Sequence, residues 1–191
     1  MRDALREIGL EPVDMPLDEE LLRTHPAASP FSWDVSGKRH VVADWHPGGE
    51  GGRSLVLNGH IDVVAEASSL WRLPPYTPVR DGDWLYGRGG GDMKAGLAAI
   101  LGAVKGLRAL GLAPRAPVQL QSVVEEECTG NGALQAAVSG LRADACVVTE
   151  PFPASISISQ VGVLWFHVDI AGLPAHAGDA REGANAIEAS F

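Results

Sequence analysis

Four short apolar runs in this chain each end at a carboxylate or a histidine. They close at NGHIDVV (residues 58–64), LYGRGGGDMKAG (85–96), VVEEECTGNG (123–132) and VVTEP (147–151). A fold must bury the runs and still leave their charged ends at one solvated edge. Residues 40–45, 54–58, 117–124 and 145–149 have strand length and strand composition, and the glycine-rich turn HPGGEGG joins the first two. Residues 92–110 predict a helix that is apolar almost all round (AGLAAILGAV), as a buried crossover helix would be, and 130–141 predict a second. Strands that alternate with helices point to an α/β fold with a mostly parallel sheet flanked by helices. The 145–149 run reads as another buried strand.

Smaller elements complete this reading. Residues 4–10 form the last turns of an amphipathic helix closed near Gly9, and 18–24 form a short helix started by Asp18. Residues 65–82, with Trp71 and three prolines, form a long loop. Near residue 160 the pattern changes. Residues 162–171 predict a longer strand, and GLPAHAGDAREGANAIEASF opens a helix. This divides the chain into a catalytic-type domain over 1–159 and the start of a second, α+β domain over 160–191.

Composition excludes several classes. The net charge is −9 and no basic stripe is present, which argues against nucleic-acid and anionic-membrane partners. Cys128 and Cys146 are far apart and form no metal knuckle, so they read as buried or inert thiols in a reducing compartment. MRDALREIGL lacks the apolar core of a signal peptide, and a cytoplasmic protein is the default expectation.

Each charged end has an ordinary reading beside a chemical one. His60 and Asp62 are two apart on a strand and share a face, so an imidazole could bind a metal while the carboxylate supports it. Taken alone they are a His–Asp pair at a strand end. Asp92 follows GRGGG and precedes a helix, where aspartate is a favoured N-cap. A phosphate cradle is disfavoured, because the glycines are not followed by a GKS or GKT pattern and the aspartate would repel the anion. Glu125, Glu126 and Glu127 end an apolar strand, where three carboxylates are costly unless solvated or metal-bound. One could bind metal while its neighbour serves as general base. Glu150 ends the last run and is otherwise a turn residue. All of these positions fall at the edge where α/β sheets assemble their sites, so the joint pattern is more specific than any member.

From about Leu55 onward these segments closely resemble the dinuclear-zinc peptidase and deacylase family of acetylornithine deacetylase and succinyl-diaminopimelate desuccinylase. The resemblance implies two Zn²⁺ ions, with Co²⁺ as an alternative. It makes His60, Asp92, Glu127 and Glu150 the metal ligands, with Asp92 bridging, and Asp62 the supporting carboxylate. Glu126 becomes the general base as zinc-bound hydroxide attacks an amide. GLPAHAG resembles the family's lid motif, whose histidine, here His176, stabilises the oxyanion across a homodimer. EEECTGNG and QVGVLWFHV most resemble the deacylase branch, as does a glutamate at position 150. The implied substrate is a small N-acyl amino acid or peptide, and the implied activity is removal of its acyl group in the manner of acetylornithine deacetylase.

The sequence departs from the family in one respect. The family's second zinc takes a further histidine near the C-terminus of the complete protein, and none of His25, His40, His46, His60, His167 and His176 has a matching context. His167, among aromatic neighbours, reads as structural. The expectation is a fragment, in which this stretch alone holds an incomplete site and turns over little N-acetylornithine. The alternatives are a non-catalytic binding or interaction module on the same fold, and a nucleotide-binding domain built on GRGGGD.

Overall fold

The computed structural model describes residues 1–191 except 32, 47, 48, 153, 154, 160, 161, 163 and 165. The chain forms two compact units, Met1–Pro153 and Ala154–Phe191. Part of the expected 46–52 turn and part of the expected 162–171 strand lie outside the described residues.

The first unit is built on five strands: β1 (Pro12–Pro16), β2 (Arg39–Trp45), β3 (Leu55–His60), β6 (Val118–Val123) and β7 (Ala145–Val148). A separate hairpin of β4 (Val79–Asp81) and β5 (Trp84–Tyr86) sits within the long loop. The main sheet runs β1-β2-β6-β3-β7. β3 is parallel to both β6 and β7, whereas β2 is antiparallel to β6 and to β1. The sheet is therefore mixed, with β2 alone running against the other four strands. β6 inserts between the consecutive strands β2 and β3. β1 adds an antiparallel edge that its two prolines obscured in the sequence; prolines are tolerated where one side of a strand has no partner.

Helix α1 (Arg2–Glu7) is followed by Gly9 at φ 75°, and α2 (Glu19–Leu22) is capped by the Asp18 side chain accepting from the Leu21 N–H. Helix α3 (Gly96–Ala109) crosses over from β3 toward β6, and α4 (Asn131–Val138) from β6 toward β7. On one sheet face Ala43, Trp45 and Leu120 pack with Leu5, Ile8 and Leu10 of the N-terminal segment and with Leu97, Ile100 and Val104 of α3. His40 is one residue out of phase with that face of β2 and is fully buried on the other side. Residues 97, 100 and 104 are the i, i+3, i+7 stripe of a helix lying on a sheet. Hence α3 buries one face only, and its small Ala98, Ala99, Gly102 and Ala103 face solvent.

Two further expectations change. All four residues of β7 are exposed, because β7 is an edge strand with β3 as its only partner among the described residues. In the second unit, the described residues of 162–171 form no strand, since none of them pairs with another segment. Its order comes from a bridge between Leu173 and Ala184, a 3-10 turn at Ala177–Glu182 and α5 (Ala186–Ala189), capped by Asn185. His167 is exposed, not packed. Cys128 and Cys146 are free as expected but exposed, and desolvation raises both thiols, which favours the inert protonated form.

Candidate metal centre at the strand ends

β3, β6 and β7 deliver their last residues to one edge of the sheet, and the turn before α3 closes over it. The β3 residue Gly59 allows this closeness. A Cβ there would lie 2.8 Å from Leu97 Cδ2 and 2.9 Å from Met93 Cε, so any side chain would have to displace Leu97 and Met93 where they pack against the strand that ends in His60. Met93 is buried under the site, and its sulfur lies 3.0 Å from the His60 N–H. Lys94 Nζ donates to the Ile61 carbonyl at 3.0 Å, tying the turn before α3 to the loop after β3.

His60 is the centre of the arrangement, with a side chain wholly shielded from solvent. Its Nδ1 lies 3.0 Å from the Asp62 carbonyl oxygen. With the proton on Nδ1, Nε2 presents a lone pair to the carboxylates that surround it. Those are Asp92 at 2.9 Å, Glu150 at 3.7 Å and Glu126 at 3.8 Å. His60, Asp92 and Glu127 each offer an atom within 4.8 Å of the others, and so do His60, Glu126 and Glu150. The other three expected ligands, Asp92, Glu127 and Glu150, and Glu126 thus converge on the His60 imidazole. Asp62 lies behind it. One of its carboxylate oxygens accepts the Glu127 N–H at 3.2 Å, and the other is buried without a hydrogen bond, 3.6 Å from His60 Nδ1. The carbonyl of Asp62, more than its carboxylate, orients the ring.

Asp92 does not act as a helix cap. Its backbone is extended (φ −106°, ψ 102°) and α3 begins only at Gly96, so the carboxylate is free to face His60. The glutamate triplet divides. Glu126 and Glu127 join the cluster, while Glu125 turns inward to Lys38 and Trp33. Nothing local to the triplet signals this, because the partners lie about ninety residues upstream. His176 belongs to the second unit, where its Nδ1 accepts the Gly178 N–H at 3.1 Å and caps the 3-10 turn.

Electrostatics follow from the crowding. Burial raises the Glu126 pKa, and Glu127, Asp62 and Asp92 raise it further against the pull of His60. Burial likewise raises Glu150, with Glu126, Asp92 and Glu127 adding to it and His60 opposing. Burial disfavours the charged form of His60, but the hydrogen bonds to Asp92 and the Asp62 carbonyl and the charges of Asp62 and Glu126 outweigh it, and its pKa is raised. Repelling carboxylates around one histidine, with a buried acceptor lacking a donor, are a donor set that a divalent cation would satisfy. The chemistry of the residues fits a metal pair. No helix among the described residues is long and apolar enough to cross a membrane.

Comparison with known proteins agrees with this geometry. The chain is 38% identical over 147 residues to an N-formyl-4-amino-5-aminomethyl-2-methylpyrimidine deformylase of Halalkalibacterium halodurans, covering 71% of the chain and 34% of that protein. It is 31% identical to a succinyl-diaminopimelate desuccinylase of Paracoccus denitrificans, covering 82% of the chain and 43% of the relative. It is 33% identical to an acetylornithine deacetylase of Edwardsiella ictaluri, covering 81% and 39%. The chain therefore spans roughly a third to two fifths of the length of these relatives. The same fold occurs in a tripeptidase from Staphylococcus aureus, with TM-score 0.59 and 22% identity, covering 98% of this chain and 47% of that one. A family model matches residues 56–187, which hold every strand-end residue of the cluster: the chain belongs to Peptidase family M20/M25/M40.

Proposed function

We propose that this chain carries most of the metal centre of an amide hydrolase that removes an N-acyl group from a small amine-bearing substrate, with N-acetyl amino acids such as acetylornithine as the leading class. The observation that carries this reading is the convergence of Asp92, Glu126, Glu127 and Glu150 on His60 from three separate segments. His60, Asp92, Glu127 and Glu150 would hold divalent ions, zinc first and cobalt as the alternative. When bound, such ions acidify water and polarise the amide carbonyl.

The protein's own groups supply the remainder. The Asp62 carbonyl fixes the His60 tautomer, and its carboxylate holds the Glu127 backbone in place. Glu126, with its raised pKa and no hydrogen bond to another residue's side chain among those described, suits a general base that takes a proton from water and passes it to the leaving amine. His176 as an oxyanion donor, and a cytoplasmic homodimer that brings it to a partner's site, belong to the same reading and rest on the lid-motif resemblance. A formamide is the second substrate to test, because a deformylase is among the relatives that the chain matches.

Calorimetric zinc titration of the chain and of Asp92→Ala tests the centre. Weakening by about 10- to 100-fold is expected on loss of a ligand. Equal affinity of both proteins would overturn the centre. Amine release from N-acetylornithine, N-succinyl-diaminopimelate and the formylated aminopyrimidine is expected to be slow, and to fall about 10²- to 10⁴-fold in Glu126→Gln. Tight zinc binding with no release from any of the three would favour the non-catalytic binding module.

A further inference from the structure

We propose that Lys38, together with Trp33, is a positioning residue for the carboxylate cluster: the pair holds Glu125, and so fixes the turn that carries Glu126 and Glu127 to His60. Both residues precede the stretch matched by the family model, residues 56–187. The inference rests on the metal-binding reading above and adds to it a support contributed by the N-terminal segment.

Glu125 is only 2% exposed, and its Oε1 accepts from Lys38 Nζ at 2.9 Å and from Trp33 Nε1 at 3.0 Å. The Lys38 ammonium lies 5.9 Å from the Trp33 ring centroid, so the indole supports the cation as well as the anion. The Thr129 hydroxyl faces the other carboxylate oxygen at 3.4 Å. Glu125 is also the one described non-glycine residue with positive φ, at 69°. A side-chain-bearing residue keeps that backbone state only where its surroundings hold it there. Its carbonyl then accepts from the Thr129 N–H at 3.2 Å and the Gly130 N–H at 2.7 Å, closing the turn. One residue earlier, the Val124 N–H donates to His40 Nδ1 at 3.2 Å. The chain between Trp33 and His40 thus grips both residues that lead into the cluster. Immediately beyond the grip, Glu126 Oε2 lies 3.8 Å from His60 Nε2, and the Glu127 N–H donates to Asp62.

A buried carboxylate that loses its cation must find water or a proton. Without Lys38, Glu125 keeps only the Trp33 and Thr129 donors to hold its positive-φ backbone, and any shift of that backbone would carry residues 126 and 127 with it. Lys38 itself is 41% exposed, so replacing its ammonium leaves little void. The effect would come through Glu125.

The test uses two readouts on Lys38→Met and Lys38→Arg. Amide exchange of the Glu127 N–H, followed by NMR in the metal-free chain, reports the turn; zinc affinity by calorimetry reports the site. In Lys38→Met we expect Glu127 exchange to rise about tenfold, with β3 and β6 amides unchanged, and zinc to bind about 10- to 100-fold more weakly. Lys38→Arg should restore both. Unchanged Glu127 exchange overturns the proposal, as does faster exchange with wild-type zinc affinity, since the grip would then serve the fold alone. Should the wild-type chain bind no zinc, the functional reading fails separately, and Glu127 exchange alone decides whether Lys38 fixes the turn. If Lys38→Met does not fold, Trp33→Phe, which removes only the indole donor, is read in the same two ways with the same outcomes.

Discussion

Gly96→Ala and Gly102→Ala, two identical substitutions on α3, should act with opposite signs. A Cβ at Gly96 would sit 2.1 Å from the Thr149 carbonyl oxygen and 2.5 Å from its hydroxyl, against nothing within 4 Å at Gly102. Thr149 cannot easily yield, since its N–H donates to the Asn58 carbonyl at 3.4 Å at the end of the sheet. Replacing a helical glycine by alanine contributes up to about 1 kcal/mol of helix propensity at either site. At Gly96 overpacking against backbone costs about 3 kcal/mol, the upper end of the usual range, leaving a net loss of about 2 kcal/mol. For a chain of this size that is a fall in Tm of about 4–8 °C, whereas Gly102→Ala should raise Tm by about 2–4 °C. The same displacement reaches the site. Gly96 follows Asp92 by four residues and Thr149 directly precedes Glu150, so forcing α3 away from the end of β7 separates two carboxylates that face His60. Zinc affinity should drop in Gly96→Ala and hold in Gly102→Ala. Differential scanning fluorimetry and zinc titration on the two variants check this. A Gly96→Ala protein as stable as Gly102→Ala, with zinc affinity intact, would refute the close approach and its role at the site.

Two further outcomes concern pH. The start of β7 is tied to β3 by Asp144, whose Oδ2 accepts from both the N–H and the hydroxyl of Ser54 at 2.7 Å, and these bonds lower its pKa below 3.8. A carboxylate lowered on folding contributes stability above its unfolded pKa, and that contribution is lost as the pH falls through the lower folded value. The Tm gap between wild type and Asp144→Ala should therefore be constant at neutral pH and close in acid; a gap that widens in acid would show the pairing to be misread. His60 in the metal-free chain has the reverse sign, because its raised pKa makes it stabilising below 6.5 and neutral once the pH exceeds its folded value. Its ring proton should titrate in NMR with a midpoint above 6.5, and a midpoint below that would mean that burial prevails over the surrounding carboxylates.

What could be read from the sequence, and what could not, divides along a physical line. The ends of β3, β6 and β7 were legible because an apolar run of strand length that stops at a charged residue is a local signal, and parallel neighbours bring such stops to one edge. The pairing order β1-β2-β6-β3-β7 was not, since insertion of β6 between β2 and β3 depends on hydrogen bonds between segments about sixty to eighty residues apart. Asp92 shows a local rule giving way: its position suits a helix cap, yet an extended backbone there starts the helix later and frees the carboxylate. The triplet Glu125, Glu126 and Glu127 is the sharpest case. The three side chains are chemically identical, and along a regular strand the first and third would share a face with the second opposed. They instead divide into one and two, because Glu125 takes φ 69° and spends its charge on Lys38. A distant lysine and tryptophan donate to the buried carboxylate of the residue in that conformation. On the proposal above, the selection of two glutamates for the site depends on a segment outside the 56–187 stretch that the family model matches.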